Sequence, residues 1–189
     1  YRVDFYNTLN SKNELEFKVY FLAESESNRN WTGALKRARF PYEISRGIHA
    51  FSSRKEWPIH LNMGVFFRLL RYSPDVIITT GYDSPGYWMA MSYAKMLRRP
   101  LITWYGSTKN DQMSTGGAIE KLRSFYLSNT AAFFTYGEAA TESLVSRGVS
   151  SDRIVTGLNT VDMNSINENV LMAQKKPSYQ SDREKYPKF

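Results

Sequence analysis

The chain has 189 residues, 42% hydrophobic and 15% aromatic, enough for one domain with a buried core and too apolar for a disordered or collagen-like polymer. It contains no cysteine, which excludes a disulfide scaffold, thiolate chemistry and Cys-ligated zinc, and permits a reducing compartment. Its 25 basic against 18 acidic residues leave a net charge of +7, a surface that favours nucleic acid, phosphorylated sugars or acidic lipid headgroups.

Short β-branched or aromatic runs alternate with longer helical patterns, the signature of βαβ units on a parallel sheet. Phe17 to Ala23 is the first such run. Glu24 to Arg54 mixes polar residues with Trp31, Phe40, Tyr42, Ile44, Ile48 and Phe51, and reads as short strands near Arg39 to Ser45 and Ile48 to Phe51. Met63, Phe66, Phe67 and Leu70 predict the apolar stripe of a helix that ends before Pro74. Asp75 to Thr80 is the next strand, and Ser84 with Pro85 opens a helix that runs to about Leu97 and is apolar nearly all round. Pro100 to Tyr105 is a strand, and Gly117 to Ser128 a helix with Ile119, Leu122 and Tyr126 on one face. After the strand Ala131 to Tyr136, a helix from Glu138 to Arg147 stops at Gly148, a good left-handed terminator, with Val149 placed to pack back. Arg153 to Thr156 is the last strand. The last four runs are almost wholly apolar, which predicts central strands of a sheet covered by helices on both faces. From Gln174 to Lys188 apolar residues thin out, and the segment reads as a linker.

Several chemistries lack their motifs. No Gly-x-Gly-x-x-Gly, Gly-x4-Gly-Lys-Ser/Thr or Gly-x-Ser-x-Gly is present. His49 and His60 are the only histidines, and without cysteine their spacing makes no usual metal site, so no metal is expected. His60 reads as a partly buried or capping imidazole before it reads as catalytic. No apolar run approaches the roughly 18 residues of a membrane span, and no basic n-region and apolar h-region follow Tyr1. Beginning on Tyr1 and ending at Phe189, the sequence reads as a piece of a longer protein.

Open α/β sheets bind ligands at loops beyond the carboxyl ends of their strands. Gly81-Tyr82-Asp83-Ser84 combines glycine for close backbone approach, hydrogen-bonding side chains and the start of a helix. The plain alternative is a capped turn. Trp104-Tyr105-Gly106-Ser107-Thr108-Lys109-Asn110-Asp111 offers aromatic faces for ring C–H surfaces and hydroxyls and amides for sugar hydroxyls. Tyr136-Gly137-Glu138 is tight enough to be mostly structural.

Pro74-Asp75-Val76-Ile77-Ile78 before a Gly-rich loop, Tyr136-Gly137-Glu138, Gly148-Val149 shortly before Arg153-Ile154-Val155, and Asn159-Thr160-Val161-Asp162 follow one another in an order that resembles the amino-terminal half of a two-domain GT-B glycosyltransferase of the group 1, or family 4, type. The resemblance covers Pro74 to Asp162. It implies a Rossmann-like, mainly parallel α/β acceptor domain over residues 1–165, lacking its first strand, and a polar linker or the start of a donor domain over 166–189. The implied enzyme transfers a sugar from a nucleotide-sugar donor to a glycan or lipid-linked acceptor with retention of configuration, without a required metal or other cofactor. The donor residues would lie in the absent second half. On this reading Gly81, Tyr82, Asp83, Ser84, Trp104, Tyr105, Ser107 and Lys109 line the acceptor face, and Asn159 and Asp162 lie at the hinge. Many relatives carry a histidine after the strand equivalent to Pro100 to Tyr105; this chain has Trp104-Tyr105-Gly106-Ser107, so that histidine's role does not transfer.

The expected location is cytoplasmic, with peripheral contact at the inner face of a membrane. Arg68 and Arg71, with Lys36, Arg37, Arg39, Arg54 and Lys55, and an aromatic stretch containing Phe66 and Phe67, fit docking on anionic lipid. The alternative makes Phe66 and Phe67 core and the arginines merely solvated. Two rival functions remain: a non-catalytic Rossmann-like module binding nucleic acid or another anion, and a nucleotide-sugar epimerase on the same scaffold. Nucleic acid is disfavoured because the basic residues are scattered and no reading helix or aromatic platform is evident.

Overall fold

The computed structural model describes residues 2–12, 14–23, 34–45, 47–52, 57–62, 64–108, 117–157 and 163–185. In chain order the elements are α1 (Arg2–Ser11), β1 (Val19–Phe21), β2 (Tyr42–Ile44), β3 (Ile48–Ser52), β4 (Trp57–Leu61), α2 (Val65–Tyr72), β5 (Ile77–Thr79) and α3 (Pro85–Met96). There follow β6 (Leu101–Tyr105), α4 (Gly117–Ser128), β7 (Ala132–Thr135), α5 (Glu138–Val145), β8 (Ile154–Thr156), α6 (Met163–Gln174) and α7 (Tyr179–Lys185). The fold is mixed α/β, with parallel sheets flanked by helices.

The chain divides into two compact units, one of Tyr1–Phe17, Gly33–Phe40 and Thr160–Phe189, the other of Lys18–Thr32 and Pro41–Asn159. In the first unit α1 is tied to the segment leading to Phe40 through Asn7, whose Nδ2 donates to Arg37 O (2.9 Å) and whose Oδ1 accepts from the Arg39 amide (2.6 Å). Tyr6, Phe17 and Phe40 pack as rings 5.2 to 6.2 Å apart, and Val3 and Phe40 are buried. The same unit holds α6 and α7. Within the segment from Gln174 onward that reads as a linker, α7 is a short, mostly polar helix.

The second unit contains a four-stranded sheet. β5, β6, β7 and β8 lie side by side in chain order, every pair parallel, with Ile77 opposite Leu101, Ile102 opposite Ala132 and Phe133 opposite Ile154. Each strand returns to its neighbour through one helix, α3, α4 or α5, as short parallel crossovers require. Ile77, Thr79, Leu101, Thr103, Tyr105, Phe133 and Thr135 face the helix layer and are buried. Beneath it, one cluster joins Val65, Leu69, Ile77, Ala90, Tyr93, Leu101 and Tyr126, and a second joins Tyr105, Leu127, Phe133, Ala140, Leu144 and Val149. The sequence expectation of four central strands is corrected: only β6 and β7 have strands on both sides among the described residues. Ile78 on β5 and Val155 on β8 are exposed.

β1 and β2 form a separate parallel pair, with Val19 opposite Tyr42 and Phe21 opposite Ile44. Asn62, wholly buried before α2, donates from Nδ2 to the carbonyls of Leu22 (3.0 Å) and Ser45 (3.2 Å), closing the carboxyl end of this pair. β3 and β4 form an antiparallel hairpin whose register sets His49 opposite His60. The hairpin's second strand, Trp57–Leu61, went unseen in the sequence because Pro58 interrupts the run.

Two helices bury a different face from the one their apolar spacing predicts. In α2 the buried residues are Val65 and Leu69, with Phe66 against the core, while Phe67 and Leu70 of the predicted stripe face solvent and Met63 lies outside the described residues. Five of the six residues from Val65 to Leu70 are apolar, so periodicity alone cannot choose the face. In α4, Arg123, Tyr126 and Leu127 are buried and Ile119 and Leu122 are exposed. Here an ion-pair network holds the face.

The other boundaries follow the sequence closely. Pro85 is the first residue of α3, after Ser84 in extended conformation. Gly148 has φ +82°, and Val149, its amide bonded to Leu144 O (3.2 Å), packs back into the core.

Candidate functional site

The parallel alignment of β5 and β6 carries the loops Gly81–Ser84 and Gly106–Thr108 to the same end of the sheet. The loops are adjacent: the Tyr82 ring stacks on Tyr105, the last residue of β6, at 6.3 Å and 22°. β7 contributes Tyr136 and Gly137 at the same end, tied in by the bond from the Tyr136 amide to Tyr105 O (3.2 Å).

Within the first loop the side chains diverge. Tyr82 turns inward: besides Tyr105 it packs on Tyr126 at 5.7 Å, the Arg123 guanidinium lies 5.8 Å from its ring centre, and Trp88 Nε1 donates to its carbonyl (2.8 Å). Burial, followed by the neighbouring Tyr105, pushes the Tyr82 hydroxyl up to about 12, so it is a protonated donor at neutral pH. Ser84 is buried, and its hydroxyl makes no capping bond to α3. Asp83 is the exposed carboxylate of the loop. A Cβ on Gly81 would stand 3.0 Å from Asp83 Oδ1 and 3.4 Å from the Tyr87 ring, a tight turn that favours glycine.

The second loop divides in the same way. Alternation along β6 sends Tyr105 into the core and Trp104 to the opposite face, where it meets Phe134 (5.3 Å) and Tyr136 (5.8 Å) edge-on. Gly106 lies under the Tyr136 ring, with its absent Cβ position only 2.4 Å from that ring. Ser107 and Thr108 are half-buried at the surface of this end. Lys109, Asn159 and Asp162 lie outside the described residues.

Of the polar residues in these loops, Asp83 is exposed and Ser107 and Thr108 are half-buried, beside Gly81 and Gly106. Tyr82, Ser84 and Tyr105 support them from within, and Trp104 serves the other face. Thr108 belongs to the polar loop that the sequence pointed to, beside Ser107. Arg123, Glu120 and Arg147, gathered behind Tyr82, were missed because charged residues on surface helices read as solvated. Among the described residues no group of three or more His, Asp or Glu side chains is placed to hold a metal ion.

A parallel sheet wound with one helix per crossover, bearing Gly-containing loops at its carboxyl ends, is a Rossmann-like domain. No protein-family model matches the chain, and no curated protein does. Among solved structures, it is similar to Anabaena Alr3699/HepE in complex with UDP and glucose, at 12% identity and a TM-score of 0.52. The likeness covers 86% of this chain but 43% of the other, so the chain spans less than half the length of the structure it matches. At this identity the likeness is one of fold.

Proposed function

We propose that the chain is the acceptor-side domain of a GT-B glycosyltransferase of the group 1, or family 4, type, working with a nucleotide-sugar donor held by a second domain. The observation that carries the reading is the fold likeness to a structure holding UDP and glucose, over 86% of this chain and less than half of that one. The polar groups at the sheet's carboxyl end support it: a carboxylate and two hydroxyls, with glycines that admit a sugar close to backbone, suit hydrogen bonding to several ring hydroxyls at once. Asp83 accepts, Ser107 and Thr108 donate or accept, and Lys109, Asn159 and Asp162 remain assigned to the acceptor loop and hinge. No catalytic residue is assigned to this half, and no metal or other cofactor enters the reading. The acceptor is a glycan or a lipid-linked sugar, and with a lipid-linked acceptor the enzyme works in the cytoplasm at the inner face of a membrane. Exposed Phe67, Leu70 and Arg71 on α2 favour that membrane contact.

Saturation-transfer NMR tests the sugar site on the chain itself, with a panel of mono- and disaccharides and with UDP. At least one sugar is expected to receive saturation, and Asp83→Ala and Ser107→Ala are each expected to weaken it, Asp83→Ala by about tenfold or more for a charge-assisted bond. A panel without any binder, or variants that bind as the parent does, would count against the assignment.

A further inference from the structure

Behind the Tyr82 loop lies a charged cluster that sugar binding leaves unexplained. Arg123 and Glu120 are one turn apart on α4, and Arg147 follows α5. Arg123 Nη1 lies 2.5 Å from Glu120 Oε2, and Arg147 Nη1 bonds Oε1 of the same carboxylate. The two arginine side chains are only 10% and 11% exposed, against 38% for Glu120. Among the described residues, two guanidinium groups therefore share one carboxylate in a nearly dry cluster, one positive charge more than that carboxylate offsets. Removing a charge from water costs several kcal/mol unless it is paired. The Nε atoms of both arginines are also buried with no hydrogen-bond acceptor among the described residues, the kind of orphaned donor that calls for a missing anion.

The surroundings are donors as well. The Arg123 guanidinium sits on the Tyr82 ring, and the positive charges of Arg123 and Arg147 both reach the Tyr82 hydroxyl. Glu120 is the acceptor among these side chains, and the most exposed of the three charged ones, so it can swing into solvent.

We infer that Arg123 and Arg147 form a binding site for a phosphate-class anion, a phosphate ester or diphosphate. Two oxygens of this ligand take the places now held by the Glu120 carboxylate. Guanidinium groups bind such oxygens in pairs. The inference stands on the cluster's own geometry and does not require sugar transfer. A phosphorylated sugar, a nucleotide and a lipid-borne diphosphate share the required chemistry.

The test follows the arginine Nε–H signals of the 15N-labelled chain during titration with inorganic diphosphate, UDP and geranyl diphosphate, with glucose as the uncharged control. Saturable shifts of both signals with inorganic diphosphate are expected. Stronger binding of UDP or geranyl diphosphate would assign the anion to a nucleotide or a lipid. Arg147→Gln should weaken diphosphate binding by about tenfold or more, the loss of one charge-assisted bond. Glu120→Gln, which keeps both arginines and removes the competing charge, should tighten it. Signals that stay in place through the titration, in a protein whose backbone spectrum is that of the fold, overturn the inference and leave a structural ion-pair cluster. Unchanged or weaker binding by Glu120→Gln overturns it too. Glucose that moves the Asp83 and Ser107 amides while diphosphate leaves the arginines unmoved would remove this site and spare the sugar site.

Discussion

At the scale of single residues, the carboxyl end of the sheet is held by ring packing on glycine. A Cβ at Gly106 would stand 2.4 Å from Cδ2 and 2.5 Å from Cε2 of Tyr136, a ring already set against Trp104. Gly106→Ala is therefore expected to cost about 1 to 3 kcal/mol in denaturant unfolding, the usual penalty of overpacking. Gly86→Ala, by contrast, meets only the branched end of the Leu22 side chain, at 2.6 Å, and gains helix propensity, so its cost should be smaller than that of Gly106→Ala. Equal losses in the two variants would refute this packing argument. Tyr126 gives a pH signature. It is wholly buried, bonded to Thr79 Oγ1 (2.9 Å), and burial pushes its hydroxyl from the ordinary 10.0 up to about 12. Below pH 10 both folded and unfolded chains keep this proton. Between 10 and 12 the unfolded chain releases it while the folded one does not, so stability falls across that window. Tyr126→Phe removes one hydrogen bond while Thr79 keeps Thr103 Oγ1 (3.2 Å) and Ile102 O (3.4 Å), so it should lower stability at neutral pH by only about 0.5 to 1.5 kcal/mol and flatten the alkaline fall. A parent and variant with the same pH slope would show that Tyr126 does not carry it.

At the scale of elements, the sequence made strands and their order legible but not which helix face is buried. Apolar runs bounded by turn residues gave the segments of β5, β6, β7 and β8, and Ser84-Pro85 and Gly148 gave helix ends through local backbone chemistry. The faces of α2 and α4 depend on tertiary partners: Arg68 at the start of α2 reaches Ile44 O (3.2 Å) and Glu43, and Arg123 is drawn inward by Glu120. Only the Glu120–Arg123 pair has a helical spacing, i and i+3, and that spacing does not say which way the pair faces; the Arg68 contacts join distant segments. The same limit applied to the site, where the loops were visible as composition but the inward turn of Tyr82 was not. The misread face of α2 has a consequence. Phe67 is 71% exposed and Leu70 39%, on a helix that also shows Arg71 to solvent. Docked on anionic lipid, the Phe67 ring would bury apolar area worth about 1.5 to 3 kcal/mol, and Arg71 would add about 1 kcal/mol. Vesicle sedimentation should show retention on phosphatidylglycerol above phosphatidylcholine, reduced about tenfold by Phe67→Ser and several-fold by Arg71→Gln. Phe67→Ser removes no core contact and should leave the unfolding midpoint nearly unchanged. Equal retention on both lipids, or full retention of Phe67→Ser, would make the exposed ring an ordinary surface residue.

At the scale of the whole molecule, the second unit carries two parallel assemblies that each end in an unpaired edge among the described residues. Parallel ladders use alternate residues of a strand on alternate sides. The Val19 amide bonds Pro41 O (3.0 Å) and Phe21 O accepts from the Ser45 amide (2.7 Å), so the amide of Tyr20 points away from β2. Likewise the Ile77 amide bonds Pro100 O (3.1 Å), so Ile77 and Thr79 serve β6 and the amide of Ile78 points to the far edge, its side chain 64% exposed. An apolar parallel strand with an open edge is unusual, because such sheets are ordinarily enclosed and exposed edges invite pairing. Hydrogen exchange resolves the matter residue by residue. The amides of Ile77 and Thr79 should be protected together with those of Val19 and Phe21, while Tyr20 and Ile78 exchange markedly faster. Protection of Tyr20 and Ile78 equal to that of their neighbours would mean that a further strand, from a second copy or another segment, closes the ladder. A dependence of that protection on protein concentration would then identify the second copy, since only an intermolecular strand is lost on dilution.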